Sequence, residues 1–506
     1  MRGAVAGGHP ETVAAGRYAL ERGGGAIDAA IAAQLTACVA EPLLTGPGGG
    51  GVGLVRTSAN AETRALDFFS PMPSIPASGA PPLEEILVDF RVTTQRFLFG
   101  PGSVAIPGLL AGLEALHQAG ARLPLTELAA PAVKLARQGL PISEGLSRSI
   151  ELLAPIVARD PYLAPKFLDA GGAPLPVGSH YALPELGESL ELFGREGASP
   201  FYRGGPAQMI LDTLGERSLI SADALAAYRP YWRTPLRGHY RGAQILSAPL
   251  PSHGGAQLLR TLRTLEAAGP ISPDPLGHAG PETLRRIYEA MRDTEDAKEE
   301  PWPGSLGTDP MPWVNGGGAG FTTHLAASDE AGGLVALTSS LGETAGRSVA
   351  SLGIALNNFL GEEDVAPPQC LPAAGDRLFT MCTPTFLIEE GGGSVAFGSG
   401  GSSRIRSAIL HGIVYRMDHQ LSLQQLADAP RAHWECDGLR VEAYRRPEGA
   451  LTPLRRALGE QLIAFEEESI FFGGLHSVAT HPLPDGSWHC EGAGDARRSG
   501  AVATSP

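Results

Sequence analysis

Thr322-Thr323-His324 follows a glycine-rich run, Asn315–Gly320, that ends on Phe321. A threonine hydroxyl is a poor nucleophile by itself. It becomes useful when the α-amino group of the same residue acts as its base, and that requires the chain to be cut immediately before it. A flexible stretch leading into a strand that begins with threonine is the layout such a cut needs. The same residues also suit a plain strand start, because β-branched side chains favour strands. On the motif alone the plainer reading is the stronger. Asp329-Glu330-Ala331-Gly332-Gly333 reads as a hairpin turn. With the turn centred on Ala331, antiparallel pairing sets Thr322 opposite Ser340, with Cβ atoms roughly 5 Å apart. Ser340 could orient the nucleophile or its amine, or be an ordinary Thr/Ser ladder pair. The run Gly398-Ser399-Gly400-Gly401-Ser402-Ser403 lies between a strand and a helix. Small residues there let the backbone approach a ligand, and a helix start offers unpaired N–H groups. Those are the parts of an oxyanion hole, and equally of a tight turn with a serine cap.

Other chemistries are absent by motif. There is no H-E-x-x-H, no G-x-S-x-G and no G-x-x-x-x-G-K-[ST]. Gly46–Gly51 precedes its strand rather than following one, which rejects a dinucleotide loop. The five cysteines (38, 370, 382, 436 and 490) are odd in number, widely spaced and without C-x-x-C. Neither a disulfide framework nor a structural zinc site is expected, and no cofactor or metal is called for. The 39 basic and 54 acidic residues give a net charge of −15, the wrong sign for a nucleic-acid binder. No apolar run reaches bilayer length, and the first residues lack a basic head followed by an apolar segment. The expectation is a cytoplasmic protein without membrane attachment.

The elements that must position these groups are also readable. A helix opens at Pro10 and stops at Gly23-Gly24-Gly25. Ile27–Val39 is apolar nearly all round, so it predicts a helix buried between layers. Val52–Val55 predicts a strand, and residues 68–90, rich in proline and serine, a loop. Residues 105–240 predict mostly helices, among them Gly108–Gln118, Thr126–Gln138 with Thr126 as N-cap, and Pro206–Leu214. Residues 268–282 and 299–320 predict loops, the second a flexible junction. Strands follow at Thr322–Ser328, Leu334–Ser340, Thr385–Ile388 and Ser394–Phe397, then a helix capped by Ser402-Ser403 and ending near His419. Glycine supplies 66 of 506 residues, nearly twice the usual level of about 7%, in runs that mark tight turns.

Taken in order, these segments resemble the γ-glutamyltranspeptidase family of N-terminal-nucleophile hydrolases. The matching stretches span nearly the whole chain: HPETVAAGRYALERGGGAIDAAIAAQLTACVAEPLLTGPGGGGVGLV, SVAIPGLLAGL, PFYRGG, SAPLPSHGG, TTHLAASDEAGGLVALTSS, ALNNFLGEED, FGSGGSSRIR, LADAPRAHWECDGLRVE and GAGDARR. The resemblance reverses the reading of Thr322. It implies an α+β fold, a four-layer αββα sandwich, and a precursor that cuts itself between Phe321 and Thr322. Residues 1–321 and 322–506 would then form one intertwined αβ heterodimer, alone or in a higher assembly. Thr322 would attack a small-molecule amide to form an acyl-enzyme, resolved by water or an acceptor amine. Ser340 stands where the family has a second threonine, and the N–H groups of Gly401 and Ser402 match the oxyanion hole. Glu362 and Asn357 from LNNFLGEED, and Thr380 in place of a serine, would contact substrate.

The departures lie in substrate recognition. The family grips the γ-glutamyl α-carboxylate with an arginine in a DFRE-like segment, which here reads Asp67-Phe68-Phe69-Ser70. Arg91 and Arg96 read as solvated surface charges. Gly342 replaces an asparagine, and Met381 follows Thr380 where the family has paired serines. Truncating one partner of a buried charge pair costs roughly 2–5 kcal/mol of binding. Three functions therefore follow: a γ-glutamyl hydrolase or transferase acting on compounds such as glutathione; a member with another substrate, in the manner of acylases, oxamate amidohydrolases or natural-product C–C hydrolases; and an unprocessed, non-catalytic homologue.

Overall fold

The computed structural model describes residues 3–89, 94–271, 274–297, 321–435 and 438–506. The predicted junction 299–320 and Arg91 lie outside the described residues. Thirteen strands build two sheets: β1 (Gly3–Gly7), β2 (Gly50–Arg56), β3 (Arg64–Asp67), β4 (Tyr231–Arg233), β5 (Leu236–Tyr240), β6 (Ala243–Ser247), β7 (Thr322–Asp329), β8 (Leu334–Ser340), β9 (Thr385–Ile388), β10 (Ser394–Gly398), β11 (His476–Pro482), β12 (Trp488–Ala493) and β13 (Ala501–Ser505). The first sheet has seven strands in the order β13-β1-β7-β8-β2-β3-β4, and the second has six in the order β12-β11-β10-β9-β6-β5.

Side-chain alternation along β7 and β8 explains how the sheets stack. Ala326, Leu334 and Ala336, with Ala4 and Ala6 of β1, face the second sheet and meet its Phe386, Ala396 and Val478 in a buried layer of mostly small residues. Leu325, Ala327, Val335 and Leu337 face the other way, into a core shared with α1 (Pro10–Glu21) and α2 (Ala26–Ala40). The far side of the second sheet packs on α3 (His253–Ala267), α4 (Pro281–Asp296) and α5 (Arg404–His419) through Leu387, Val395, Leu258, Ile287 and Ile409. Three cores between four layers make the αββα sandwich expected from the sequence. Every residue of α2 is buried, as its all-round apolarity requires. Among the described residues no helix is long and apolar enough to cross a membrane.

Several details differ from the sequence reading. Glu84–Asp89, inside the stretch read as loop, pairs antiparallel with Thr94–Phe99 just beyond it. The proline-rich signal ends near Pro82, and Ile86-Leu87-Val88 carries ordinary strand residues. The helix expected from Thr126 begins at Leu125, with Pro124 at the N-cap, and Thr126 makes no capping bond. Ser403 stands at the N-cap of α5 without a side-chain capping bond, and β4 and β5 end the stretch read as mostly helical.

Candidate active site

Thr322 opens β7 and is 4% exposed. It pairs with Ser340, the last residue of β8, in the register that the turn at Ala331 predicts. The Thr322 hydroxyl donates to Ser340 Oγ at 3.1 Å. Ser340 Oγ in turn donates to the carbonyl of Phe321 at 3.0 Å and accepts from the Gly342 N–H at 2.9 Å. One hydroxyl thus touches both the Thr322 oxygen and the carbonyl of the preceding peptide bond.

The glycine-rich turn after β10 closes over Thr322. A Cβ on Gly400 would lie 2.0 Å from the Thr322 carbonyl oxygen, so only glycine permits this approach. Gly401 has φ +118° and Ser402 has φ +47°. The left-handed region costs an L-residue roughly 1–2 kcal/mol. At Ser402 the hydroxyl donates to Asp364 Oδ2, which fixes the strained residue. Among the described residues the N–H groups of Gly401 and Ser402 have no acceptor. Arg498 reaches in from the C-terminal segment. Its guanidinium donates to the carbonyls of Thr322 (3.3 Å) and Ile470 (3.2 Å). Burial, with Arg404 nearby, brings its pKa down to about 10.

Acidic groups collect beside Ser402 and Gly342. Glu362 Oε1 is buried without a hydrogen-bond partner among the described residues, close to Gly342, where a Cβ would meet it at 2.4 Å. Burial and the neighbouring carboxyls of Glu343 and Asp364 push its pKa well above the usual carboxylate value. Burial also raises Asp364, opposed by the Ser402 hydroxyl and Arg404. Arg96 is half exposed and ion-paired with Glu85 and Glu363, in keeping with a surface charge.

The remaining sequence candidates divide. The Thr380 hydroxyl accepts from the Cys382 N–H at 3.1 Å, and its carbonyl accepts from His253. The neighbouring Phe379 N–H donates to the Val365 carbonyl at 3.1 Å, which sets Thr380 beside the segment that carries Glu362 and Asp364. Asn357 is held elsewhere. Its amide nitrogen donates to the carbonyls of Gly48 and Ala105, and its Oδ1 accepts from the Ala105 and Phe359 N–H groups. That amide is fully engaged with main chain and joins loops. His324 points between the sheets, hydrogen-bonded through Nδ1 to Thr338 Oγ1 at 2.8 Å and pushed by burial well below its usual pKa. Asp364, Arg498 and Glu41, which takes the Thr323 hydroxyl, escaped the sequence reading. Their partners lie 38, 176 and 282 residues away, beyond any local spacing signal.

A four-layer sandwich with a buried threonine at the head of a central strand defines the N-terminal-nucleophile hydrolase class. Within it the chain belongs to the gamma-glutamyltranspeptidase family, whose model matches residues 12–302 and 293–505. It is 32% identical to the acylase ACY 1 proenzyme of a Pseudomonas species (strain SE83), over 99% of this chain and 95% of that one. It is 27% identical to the glutathione hydrolase proenzyme of Escherichia coli (strain K12), over 94% and 87%. The crystal structure of cephalosporin acylase from Bacillus halodurans superimposes with a TM-score of 0.81 at 24% identity, over 99% of this chain and 95% of that one. The family is one of amidohydrolases and transpeptidases.

Proposed function

We propose that this chain is a precursor that cuts itself between Phe321 and Thr322, and that the freed Thr322 is the nucleophile of an amide hydrolase or acyltransferase. The observation that carries the reading is the line from Thr322 Oγ1 through Ser340 Oγ to the Phe321 carbonyl. In the cut, Thr322 Oγ1 bonds to the Phe321 carbonyl carbon while Ser340 polarises that carbonyl. The C–N bond breaks, the nitrogen takes the hydroxyl proton, and water then hydrolyses the ester. This leaves a Phe321 carboxylate and a free Thr322 α-amine.

In turnover the amine takes the hydroxyl proton as Thr322 Oγ1 attacks the substrate carbonyl. The N–H groups of Gly401 and Ser402, and the Ser340 hydroxyl, are available to the developing charge. The proton passes to the leaving amine, and water or an acceptor amine releases the acyl group. Preorganised donors of this kind are each worth roughly 10²–10³ in rate.

For a γ-glutamyl acyl group, as in glutathione, the unpartnered Glu362 would take the substrate ammonium. A second reading, a different acyl group, is favoured by Phe69. It occupies the place of the family's carboxylate-binding arginine and stacks on Phe359 at 4.5 Å. Both rings sit in an apolar cluster with Met72, Val365 and Leu378. The name of the Pseudomonas relative, an acylase, points the same way.

Intact mass under denaturing conditions tests the cut. Two species meeting at Phe321/Thr322 are expected, with Thr322→Ala remaining one chain of 52.6 kDa. A wild-type chain that stays whole on long incubation removes the mechanism and leaves a non-catalytic homologue. γ-Glutamyl-p-nitroanilide, compared with an acyl-p-nitroanilide lacking the α-carboxylate, then separates the two substrate readings.

A further inference from the structure

The ladder around Thr322 is one-sided. β7 pairs with β8 from Thr322 onward, but its pairing with β1 begins only at Ala326, opposite Ala6. Beyond Gly7 the first chain segment turns away into α1, which opens at Pro10. Among the described residues, ladder bonds therefore hold 322–325 along one edge only. Before a cut, buried Phe321 secures them from the front. After it, Thr322 is a chain end, and chain ends fray unless tied down.

Two side chains stand where the missing ladder would be. Glu41, just past the end of α2 and 5% exposed, accepts from Thr323 Oγ1 at 2.5 Å and from Thr12 Oγ1 at 2.9 Å. Gly8 packs so tightly here that a Cβ would lie 2.3 Å from Glu41 Oε2. Arg498 holds the Thr322 carbonyl and lies within 3.3 Å of where a Cβ on Gly400 or Gly401 would be. Glu41 and Arg498 also line one pocket with Gly8, His9, Ser149 and Ile470. Thr323 points to the helical side of the sheet, away from the Thr322–Ser340 hydroxyls, so Glu41 cannot meet a substrate carbonyl from there.

We propose that Glu41 and Arg498 form a clamp that keeps the new N-terminus in register with Ser340 and the Gly401–Ser402 amides. The clamp rests on the reading of Thr322 as the freed nucleophile. Glu41 is a positioning residue: it acts through Thr323 on the backbone that carries Thr322. Its effect belongs to the cut protein, since Phe321 does the same work in the uncut chain.

The test is amide hydrogen exchange at residues 323–325, followed by mass spectrometry. Four proteins are compared in cut form, namely wild type, Thr323→Val, Thr323→Ser and Glu41→Gln, and Thr322→Ala with and without Thr323→Val serves as the uncut pair. The expected result is roughly tenfold faster exchange in cut Thr323→Val, near wild-type exchange in Thr323→Ser, and a smaller change in the uncut pair. With a p-nitroanilide that the wild type turns over, Thr323→Val loses kcat with little change in KM, and Thr323→Ser recovers it. Glu41→Gln, which keeps the side-chain volume, carries the exchange test if Thr323→Val fails to fold. A cut Thr323→Val or Glu41→Gln protein that exchanges at the wild-type rate overturns the clamp alone. A wild-type chain that never cuts overturns the reading beneath it as well.

Discussion

Ser340 and Ser402 are the residues on which the site turns. Ser340 Oγ donates once, to the Phe321 carbonyl, and accepts twice, from Thr322 Oγ1 and the Gly342 N–H. Ser340→Ala removes all three bonds and is expected to slow the cut by about 10²-fold, followed as the mass of the uncut chain against time. Ser340→Thr keeps the hydroxyl and is expected to cut at close to the wild-type rate. Cutting of Ser340→Ala at the wild-type rate would remove Ser340 from the chemistry. Ser402 makes a different prediction. Its left-handed backbone is strained, but its hydroxyl bonds to the buried Asp364. Ser402→Ala keeps the strain and loses the bond, so it is expected to destabilise by about 1–3 kcal/mol. Ser402→Gly loses the bond and relieves the strain, so it should melt higher than Ser402→Ala. The reverse order of melting temperatures would show that the left-handed backbone at Ser402 costs less than the extra chain entropy that glycine brings.

At the scale of elements, the turn after β10 and the head of β7 meet with no room to spare. Gly400→Ala would drive a methyl into the Thr322 carbonyl. Misplacing a reacting group by about 1 Å costs on the order of 10²-fold, so this variant is expected to fold yet cut at least that much more slowly. Normal cutting would mean that the turn is free to move. The elements themselves were largely legible. The β7–β8 hairpin announces itself through Asp329–Gly333, and its register follows because a one-residue slip would turn Leu325 and Leu337 out of the helical core. The burial of α2 follows from its uniform apolarity. The hairpin at Glu84–Phe99 was hidden by the prolines before it. The contacts of Asp364, Arg498 and Glu41 were hidden for another reason: they exist only after distant segments pack. The main-chain partners of Asn357 were hidden too, because a side chain that binds main chain cannot be told from one that binds substrate without seeing what it touches.

For the whole molecule, buried neutral histidines set the response to acid. Burial lowers His253, His433 and His476 to about 4 and His411 to about 3, and pushes His324 well below its usual value. The unfolded chain takes up these protons near pH 6.5 and the folded one does not. Stability is therefore present above pH 6.5 and lost as the pH falls toward 4, by up to about 1.4 kcal/mol per pH unit for each such group. Glu362, Asp364, Glu41 and Asp160 work oppositely. Burial raises their pKa values, so their contributions are present below about 4 and lost as the pH rises. The five histidines outnumber these four carboxyls, so the melting temperature is expected to drop between pH 7 and pH 5. A flat profile would mean that these imidazoles reach water in the native state.

The strand order of the first sheet carries one more consequence. β1 lies between β13 and β7, and β8 lies against β2, so segments from both sides of Phe321–Thr322 interleave in one sheet. An uncut chain reaches this arrangement as a first-order process. Once cut, the same arrangement requires two molecules to meet, and one must thread a strand between two strands of the other. Refolding from denaturant should then be independent of concentration for Thr322→Ala and second order for the cut protein. Maturation would work as a ratchet: the uncut chain finds the structure, and the cut pair inherits a shape that it could not readily reach again by itself.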